Sequence, residues 1–153
     1  MPFCNYDGSG KTDEEIVEDL MKRVEANDAG AIYVLGSYHS HGTLGLLRDR
    51  EKATELWTQA AKLGSRQAHH NLGILYYEGG DVKNAKFHYE AAAMDGHETA
   101  RFNLGCMEYK SGKVERAVKH WTIGASAGSY NAMHSLQMEF KKGHVSREHS
   151  IQP

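Results

Sequence analysis

Small and apolar residues recur along this chain with a period of 32 residues. The pattern is clearest in residues 67–96 and returns in residues 99–128. An earlier copy carries five extra residues between His41 and Ala53, which we expect to form a loop. Self-similarity at a fixed period of this length predicts a solenoid of stacked repeats. The recurring positions are Ala68, Leu72, Gly73, Ala85, Tyr89, Ala93 and Gly96, which return as Ala100, Leu104, Gly105, Ala117, Trp121, Ala125 and Gly128.

Each copy predicts two helices joined by a glycine turn. In the first helix, apolar residues at helical spacing flank Gly73, although a glycine inside a helix costs about 1 kcal/mol relative to alanine. Its return as Gly36 and Gly105 therefore predicts that the backbone of this helix comes close to a neighbouring helix. The glycines at 79–80 are expected to end this helix, and Asp81 is expected to cap the second.

The segments on either side of the repeats differ in composition. Residues 1–11 are polar and glycine-rich, so we expect a disordered linker. In residues 12–27, Thr12 and the glutamate three residues later form a predicted capping box ahead of an amphipathic face. This pattern indicates a helix that caps the first repeat. Residues 130–143 contain a first helix alone, and residues 144–153 are a polar tail.

The repeats resemble a known family. Their common sequence is A-x-x-x-L-G-x-x-Y, then a glycine turn, then K-A-x-x-x-W/Y-x-x-A-A-x-x-G, which is similar to the Sel-one-like repeat of the tetratricopeptide-like superfamily. His39 and Glu108 depart from it where the second repeat has Tyr76. The resemblance covers residues 28–143, with repeats at about 28–65, 66–97 and 98–129 and a partial repeat at 130–143.

This resemblance implies both a fold and a role. The implied fold is all-α, a right-handed α-solenoid of helix–turn–helix repeats that forms a tetratricopeptide-like superhelix. The implied role is that of an adaptor or scaffold, which binds a partner protein or peptide on the concave face. Such a role involves no catalysis.

The composition argues against several other classes of protein. With 18 basic and 20 acidic residues, the chain lacks the basic character of proteins that bind nucleic acid or anionic membranes. No apolar run reaches the length of a membrane span, and the start has no signal-peptide hydrophobic region. Cys4 and Cys106 are too few and too far apart for a disulfide framework, which favours a reducing compartment. We therefore expect a cytoplasmic protein, with the nucleus as the alternative.

Ten histidines raise the question of a metal site. Their clusters are His39-x-His41 and His69-His70. Successive side chains on a helix point about 100° apart, so the second pair cannot share one ion. No carboxylate stands at ligand spacing beside either pair, and no nucleophile–base motif or phosphate-binding loop occurs. The sequence thus predicts surface histidines, with no metal, no cofactor and no catalytic residue.

A partner is expected to contact the sides of the first helices that face away from the repeat core. If Leu72 and Tyr76 face the core, Tyr77 lies on roughly the opposite side. The side chains there are aromatic or soft, which favours partner contact; the alternative is that they fill the groove themselves. Asn71 and Asn103 would either bond the partner or brace the next repeat. The candidate groove residues are Tyr33, Ser37, His70, Ile74, Tyr77, Phe102, Cys106, Tyr109, His134 and Met138.

Two further hypotheses concern the ends of the chain. Met1-Pro2-Phe3-Cys4 resembles the C-P-x-C that ends many RING zinc domains, with Met1 in place of the first cysteine. On this resemblance, the chain is the substrate-recognition half of a RING-type E3 ubiquitin ligase truncated at its N-terminus; a chance match is the alternative. Cys4 alone cannot hold zinc. The other hypothesis is weak self-association through the partial repeat at 130–143.

Overall fold

The computed structural model describes residues 10–143, and this part of the chain is helical throughout, with no strand. The RING-like tetrapeptide and the polar tail lie outside the described residues. The helices follow the repeats in order, with two helices to each repeat after α1 and with α8 as the first helix of the fourth. They are α1 (Asp13–Glu25), α2 (Ala29–His41), α3 (Arg50–Lys62), α4 (Arg66–Glu78), α5 (Val82–Met94), α6 (Glu98–Lys110), α7 (Val114–Ser126) and α8 (Tyr130–Lys141).

Every first helix of a repeat begins at a residue whose side chain accepts a backbone hydrogen bond. Such an N-cap satisfies one of the amide groups that the first turn leaves without a partner. The caps recur at the repeat spacing, which explains why the helices start in register. They are Asp28 (from Ala31 N, 3.1 Å), Ser65 (from Ala68 N, 3.2 Å), His97 (from Ala100 N, 3.2 Å) and Ser129 (from Ala132 N, 3.4 Å).

The turn inside the second repeat has the predicted chemistry. The helix α4 ends at Glu78, and Gly80 follows with a φ of 82°, a left-handed conformation that glycine adopts without steric cost. Asp81 then caps α5, since its carboxylate accepts a hydrogen bond from the backbone N–H of Asn84 at 3.1 Å. The predicted glycine break and aspartate cap are both confirmed.

The described residues divide into two compact units, the first ending at Leu72 and the second beginning at Gly73. In the first unit, α1 packs on α2, and α2 packs on α3. The capping box predicted for α1 is present: Thr12 N donates to Glu15 Oε2 at 2.8 Å, and Glu15 N donates to Thr12 Oγ1 at 3.3 Å. The buried apolar residues of this unit include Leu20, Ile32, Leu35, Leu56 and Trp57.

The five extra residues of the first repeat lie in the loop between α2 and α3, as expected. The loop closes on its own helix, because Asp49 N donates to His39 O at 2.8 Å. A ring nitrogen of His39 also lies 3.3 Å from Leu47 O. These contacts hold the ends of the loop, while the Leu47 side chain is exposed.

In the second unit, α5 packs on α6, α6 on α7, and α7 on α8. One buried cluster surrounds Tyr89 and includes Leu104 and Met107. Another surrounds Trp121 and includes Leu136. Each cluster joins one large aromatic ring to several alanines, which lets adjacent helices approach closely.

The recurring glycine of each first helix lies under the aromatic ring of the following second helix. A Cβ added at Gly73 would stand 2.7 Å from the Tyr89 ring. A Cβ added at Gly36 would also stand 2.7 Å from the Trp57 ring. A Cβ added at Gly105 would stand 2.4 Å from the indole nitrogen of Trp121. The predicted close approach between two helices is confirmed, and the nearest atoms belong to an aromatic ring, which occupies the space that a Cβ would fill.

Candidate interaction surface

Two tyrosine–lysine pairs recur one repeat apart in the second unit. Lys110 Nζ donates a hydrogen bond to Tyr77 Oη at 2.9 Å and lies 5.4 Å from the centroid of that ring. Lys142 Nζ makes the same two contacts with Tyr109, at 2.9 and 5.3 Å. The phenol oxygen stabilises the ammonium form, which raises the pKa of each lysine. The pairs place an amphipathic ring and a cation side by side at a regular spacing.

A pocket of about 170 Å³ lies beside the first of these pairs. Asn103 forms part of its wall and hydrogen-bonds to the Tyr89 phenol. Burial raises the pKa of Tyr89, and the bond from Asn103 opposes that rise. Asn103 therefore braces α6 against α5, a helix of the preceding repeat and not of the next repeat. The pocket is lined by Tyr77, Tyr89, Asn103, Cys106, Met107 and Lys110.

Four of the candidate groove residues are half-buried against the core clusters of the second unit. Ile74 packs against the cluster around Tyr89. Phe102, Cys106 and Tyr109 pack against the cluster around Trp121, and the Tyr109 and Trp121 ring centroids are 5.6 Å apart. Helical spacing shows which way a side chain points on its own helix, but a first helix also touches the second helix of its repeat. That contact covers part of the helix face that the sequence predicts to be exposed to a partner.

The other candidates differ in exposure. In the second unit, Tyr77 and Met138 are exposed at 37% and 43%, and His134 is exposed as well. In the first unit, Tyr33, Ser37 and His70 are half-buried. The carbonyl oxygen of Tyr33 accepts a hydrogen bond from Trp57 Nε1 at 3.2 Å and another from Ser37 Oγ at 3.1 Å.

The thiol of Cys106 has the environment of a packed residue. Burial raises its pKa, and the Trp121 indole opposes that rise. A thiol with a raised pKa stays protonated at neutral pH and is a poor nucleophile. Its contribution to the pocket is therefore its shape and its polarisable surface.

A buried glutamate was not identified as functional from the sequence. Glu108 lies on the core side of α6, where the second repeat has Tyr76, and its side chain is 5% exposed. It accepts a hydrogen bond from Lys86 Nζ on α5, and Lys113 Nζ lies 3.8 Å from its other carboxylate oxygen. The hydrogen bond from Lys86 is the largest cause of its lowered pKa. In the sequence, Glu108 is recognisable as a charged residue at a position where the repeat has an apolar side chain. A charge at such a position indicates a carboxylate that is paired with a cation.

The expectation of surface histidines is wrong for several of them. His69, His70 and His120 are half-buried, and His97 caps α6. Burial lowers the pKa of His69 and of His120, because a desolvated ring disfavours its charged form. Repeat proteins bury the sides of their helices on several neighbours, so a histidine outside the apolar stripe still becomes covered.

Neither a metal-binding cluster nor a membrane-spanning helix is present in the described residues, 10–143. No group of three or more His, Cys, Asp or Glu side chains there is arranged to hold a metal ion. No helix in that range has the length and apolar character needed to cross a membrane.

Comparison with known sequences identifies the repeats. Residues 29–65, 66–97 and 99–129 match the Sel1 repeat family. Over 53 residues, or 35% of the chain, the sequence is 38% identical to chitin synthase regulatory factor 3 of Schizosaccharomyces pombe. The matched segment spans 6% of the length of that relative.

Solved structures show the same architecture. One of them is a protective antigen with an SLR fold, present in uropathogenic Escherichia coli strains. The match covers 85% of this chain and 30% of the antigen chain, with 28% sequence identity and a TM-score of 0.77. A Sel1 repeat protein from Oxalobacter formigenes matches 79% of the chain and 96% of its own, with 26% identity and a TM-score of 0.70. The fold is therefore an all-α helical-repeat solenoid.

Proposed function

This chain belongs to the Sel1 repeat family, and on that premise we propose that it is an adaptor or scaffold whose first helices bind a partner protein or peptide. Proteins with Sel1 repeats generally mediate protein–protein interaction and are typically non-catalytic scaffolds. The family thus supports the class of function. The geometry of the second unit supports the location of the binding surface.

The observation that carries the proposal is the recurrence of the tyrosine–lysine pair. Tyr77 and Tyr109 stand at the same position of successive first helices, and each holds a lysine by its hydroxyl. Tyrosine provides a large contact area and a directional hydrogen bond at protein interfaces. A peptide lying along α4, α6 and α8 would meet a tyrosine beside a lysine at two successive positions.

One relative has a name that indicates regulation. The Schizosaccharomyces pombe protein is named chitin synthase regulatory factor 3. A repeat module that binds other proteins is consistent with such a role. The partner of this chain is proposed only as a protein or peptide, in the cytoplasm or the nucleus.

The test compares an aromatic on the proposed surface with one elsewhere. Tyr77 and Phe87 are exposed at 37% and 60%, and Phe87 lies on α5, a second helix. Partners captured by the tagged wild-type chain are compared with those captured by Tyr77→Ala and Phe87→Ala, and the partner that depends on Tyr77 is then purified and titrated. We expect Tyr77→Ala to weaken its binding about tenfold and Phe87→Ala to leave it unchanged. Equal effects of the two substitutions would reject the first helices as the binding surface.

Self-association remains a second candidate because α8 has an exposed apolar side. Tyr130 is 74% exposed, and Met133 and Met138 are also exposed. Sedimentation equilibrium at several concentrations measures this association. Met138→Asp should abolish any concentration dependence, whereas Met94→Asp, at an exposed position on α5, should not. A molecular mass that stays monomeric at every concentration removes this candidate.

The ubiquitin-ligase alternative depends on the segment Met1–Cys4, which lies outside the described residues. It stays a hypothesis. The genomic sequence that precedes the codon of Met1 tests it: an open reading frame with further C-x-x-C and C-x-H pairs would support a RING domain, and its absence would leave the tetrapeptide as a chance match.

A further inference from the structure

Lys110 differs from the other lysines of the second unit that contact another side chain. Within the described part of the chain, Lys86, Lys113 and Lys142 each lie beside a glutamate, whereas the ammonium of Lys110 has no carboxylate partner. Its partner is the phenol of Tyr77, and its ammonium lies 5.4 Å from the centroid of that ring. The side chain is therefore held in one place while its charge is not neutralised.

The pocket beside Lys110 has the polarity of an anion site. No acidic side chain lines it. Tyr77 uses its oxygen to accept from Lys110, which leaves its O–H proton available to donate to a ligand. The Asn103 carboxamide and the Cys106 thiol stand on the same wall, and the buried Met107 forms an apolar part of the lining. A ligand group that enters would meet one ammonium and at least one hydroxyl donor.

The size of the pocket restricts what can enter. A volume of about 170 Å³ is below the range of about 300–1,000 Å³ that is usual for small-molecule sites, so it fits one amino-acid side chain better than a cofactor. Charge-assisted hydrogen bonds from an ammonium to a carboxylate are about twice as strong as neutral ones. Because Tyr77 already orders the lysine, less conformational entropy is lost when the ion pair forms.

We infer that this pocket receives the carboxylate of one aspartate or glutamate in the bound peptide, with Lys110 as its ion-pair partner and Tyr77 as a positioning residue. The inference rests on the proposed function and gives it a partner chemistry, an acidic peptide. The second tyrosine–lysine pair does not offer the same site, because Glu139 already lies 2.9 Å from the Lys142 ammonium. We therefore expect one fixed acidic position in the peptide, not a series of them at the repeat spacing.

The test is a selection from a displayed library of random dodecapeptides on the purified full chain. Three proteins are compared: wild type, Lys110→Met, and Lys119→Met, which removes one charge from an exposed lysine of α7. Peptides from wild type and Lys119→Met should share one position occupied by aspartate or glutamate, and those from Lys110→Met should lose that preference. Circular dichroism of the variants confirms that all three are folded.

One selected peptide is then synthesised with its acidic residue and again with the matching amide, Asn or Gln. Wild type should bind the amide form about tenfold more weakly, and Lys110→Met should bind both forms equally. Lys110→Arg should restore the discrimination, since it keeps the charge.

Each alternative outcome has a separate meaning. Peptides selected without an acidic position, or a preference that survives Lys110→Met, would overturn the inference and leave the proposed function standing. A selection that enriches no peptide on wild type would overturn the peptide-binding function itself, and the inference with it.

Discussion

The helices α6 and α8 occupy the same position in successive repeats, yet they present different residues to their surroundings. In α6, Gly105 lies under the Trp121 ring, and Cys106 packs against the same cluster. In α8 the corresponding residues are Gln137 and Met138, and both are exposed. The helix α7 covers this face of α6, whereas no helix in the described residues follows α8.

The comparison shows that the residue required at this position of a first helix depends on the helix that packs on it next. Glycine recurs in α2, α4 and α6, and in each of them the aromatic ring of the next helix takes the place of a Cβ. In α8 a glutamine stands at the same position. The glycine therefore has a packing function, which offsets its unfavourable helix propensity only where a ring arrives.

The largest expected effect tests this directly. Gly105→Val should lower the free energy of unfolding by about 2–3 kcal/mol, because its Cβ would stand 2.4 Å from an atom of a buried indole that has little room to move. Gln137→Val introduces a valine at the corresponding position of α8 and should change the free energy of unfolding by less than about 0.5 kcal/mol. Urea unfolding followed by circular dichroism measures both. If the two valines are equally destabilising, the ring does not determine the need for glycine.

The next effect distinguishes the two repeated tyrosines. Tyr109 packs against Trp121, so Tyr109→Ala should cost about 2 kcal/mol of stability. Tyr77 is 37% exposed, and Tyr77→Ala should cost less than about 1 kcal/mol. The same unfolding measurement decides between them. A loss at Tyr77 as large as that at Tyr109 would show that Tyr77 is a core residue, and the proposed surface would lose its central side chain.

The buried glutamate of α6 should have an intermediate effect. Glu108→Gln removes the charge that Lys86 and Lys113 face and should cost about 1–2 kcal/mol at pH 7. The cost is limited because the Lys86 side chain is partly exposed and regains hydration when its partner loses its charge. The control is Glu90→Gln, which removes an exposed carboxylate 4.0 Å from the same lysine and should cost less than about 0.5 kcal/mol.

The effect of Glu108 should also depend on pH. Its pKa is lowered in the folded protein, so the unfolded chain binds a proton more readily. The contribution of the pair is therefore complete above the ordinary glutamate pKa of about 4.3 and is lost as the pH falls through the lowered value. The difference in unfolding free energy between wild type and Glu108→Gln should be constant near pH 7 and shrink in acid. A difference that grows in acid would contradict the assigned ion pair.

Much of the fold was predictable, because the same sequence pattern occurs in several repeats and each copy indicates the same pair of helices. The glycine turn after α4, the Asp81 cap and the capping box of α1 are local features, set by residues within a few positions of each other. The identity of the group above Gly73 was not predictable in the same way. Helical spacing indicates a close approach, but it does not show whether a ring or a backbone makes it.

The candidate surface was less predictable for a related reason. The direction of Phe102 and Tyr109 follows from helical spacing, but their burial depends on α7, a neighbour that the spacing does not include. Glu108 appeared only as a departure from the repeat, because its partner Lys86 lies 22 residues earlier on another helix. Contacts between helices decide both cases.

The smallest effect concerns how α6 and α8 begin. The cap of α6 is the ring of His97, whose Nδ1 accepts from Ala100 N at 3.2 Å, whereas α8 uses the hydroxyl of Ser129. The acceptor role requires the neutral tautomer with its proton on Nε2. If the cap is the main contribution of this side chain, His97→Ala should cost about 1 kcal/mol, and His97→Ser should stay within about 0.5 kcal/mol of wild type, because serine is a preferred cap. Thermal and urea unfolding of the two variants measure the difference. Should serine prove as destabilising as alanine, the histidine stabilises α6 through its ring contacts and not through the cap, and the two first helices would then differ at their starts as well as on their covered faces.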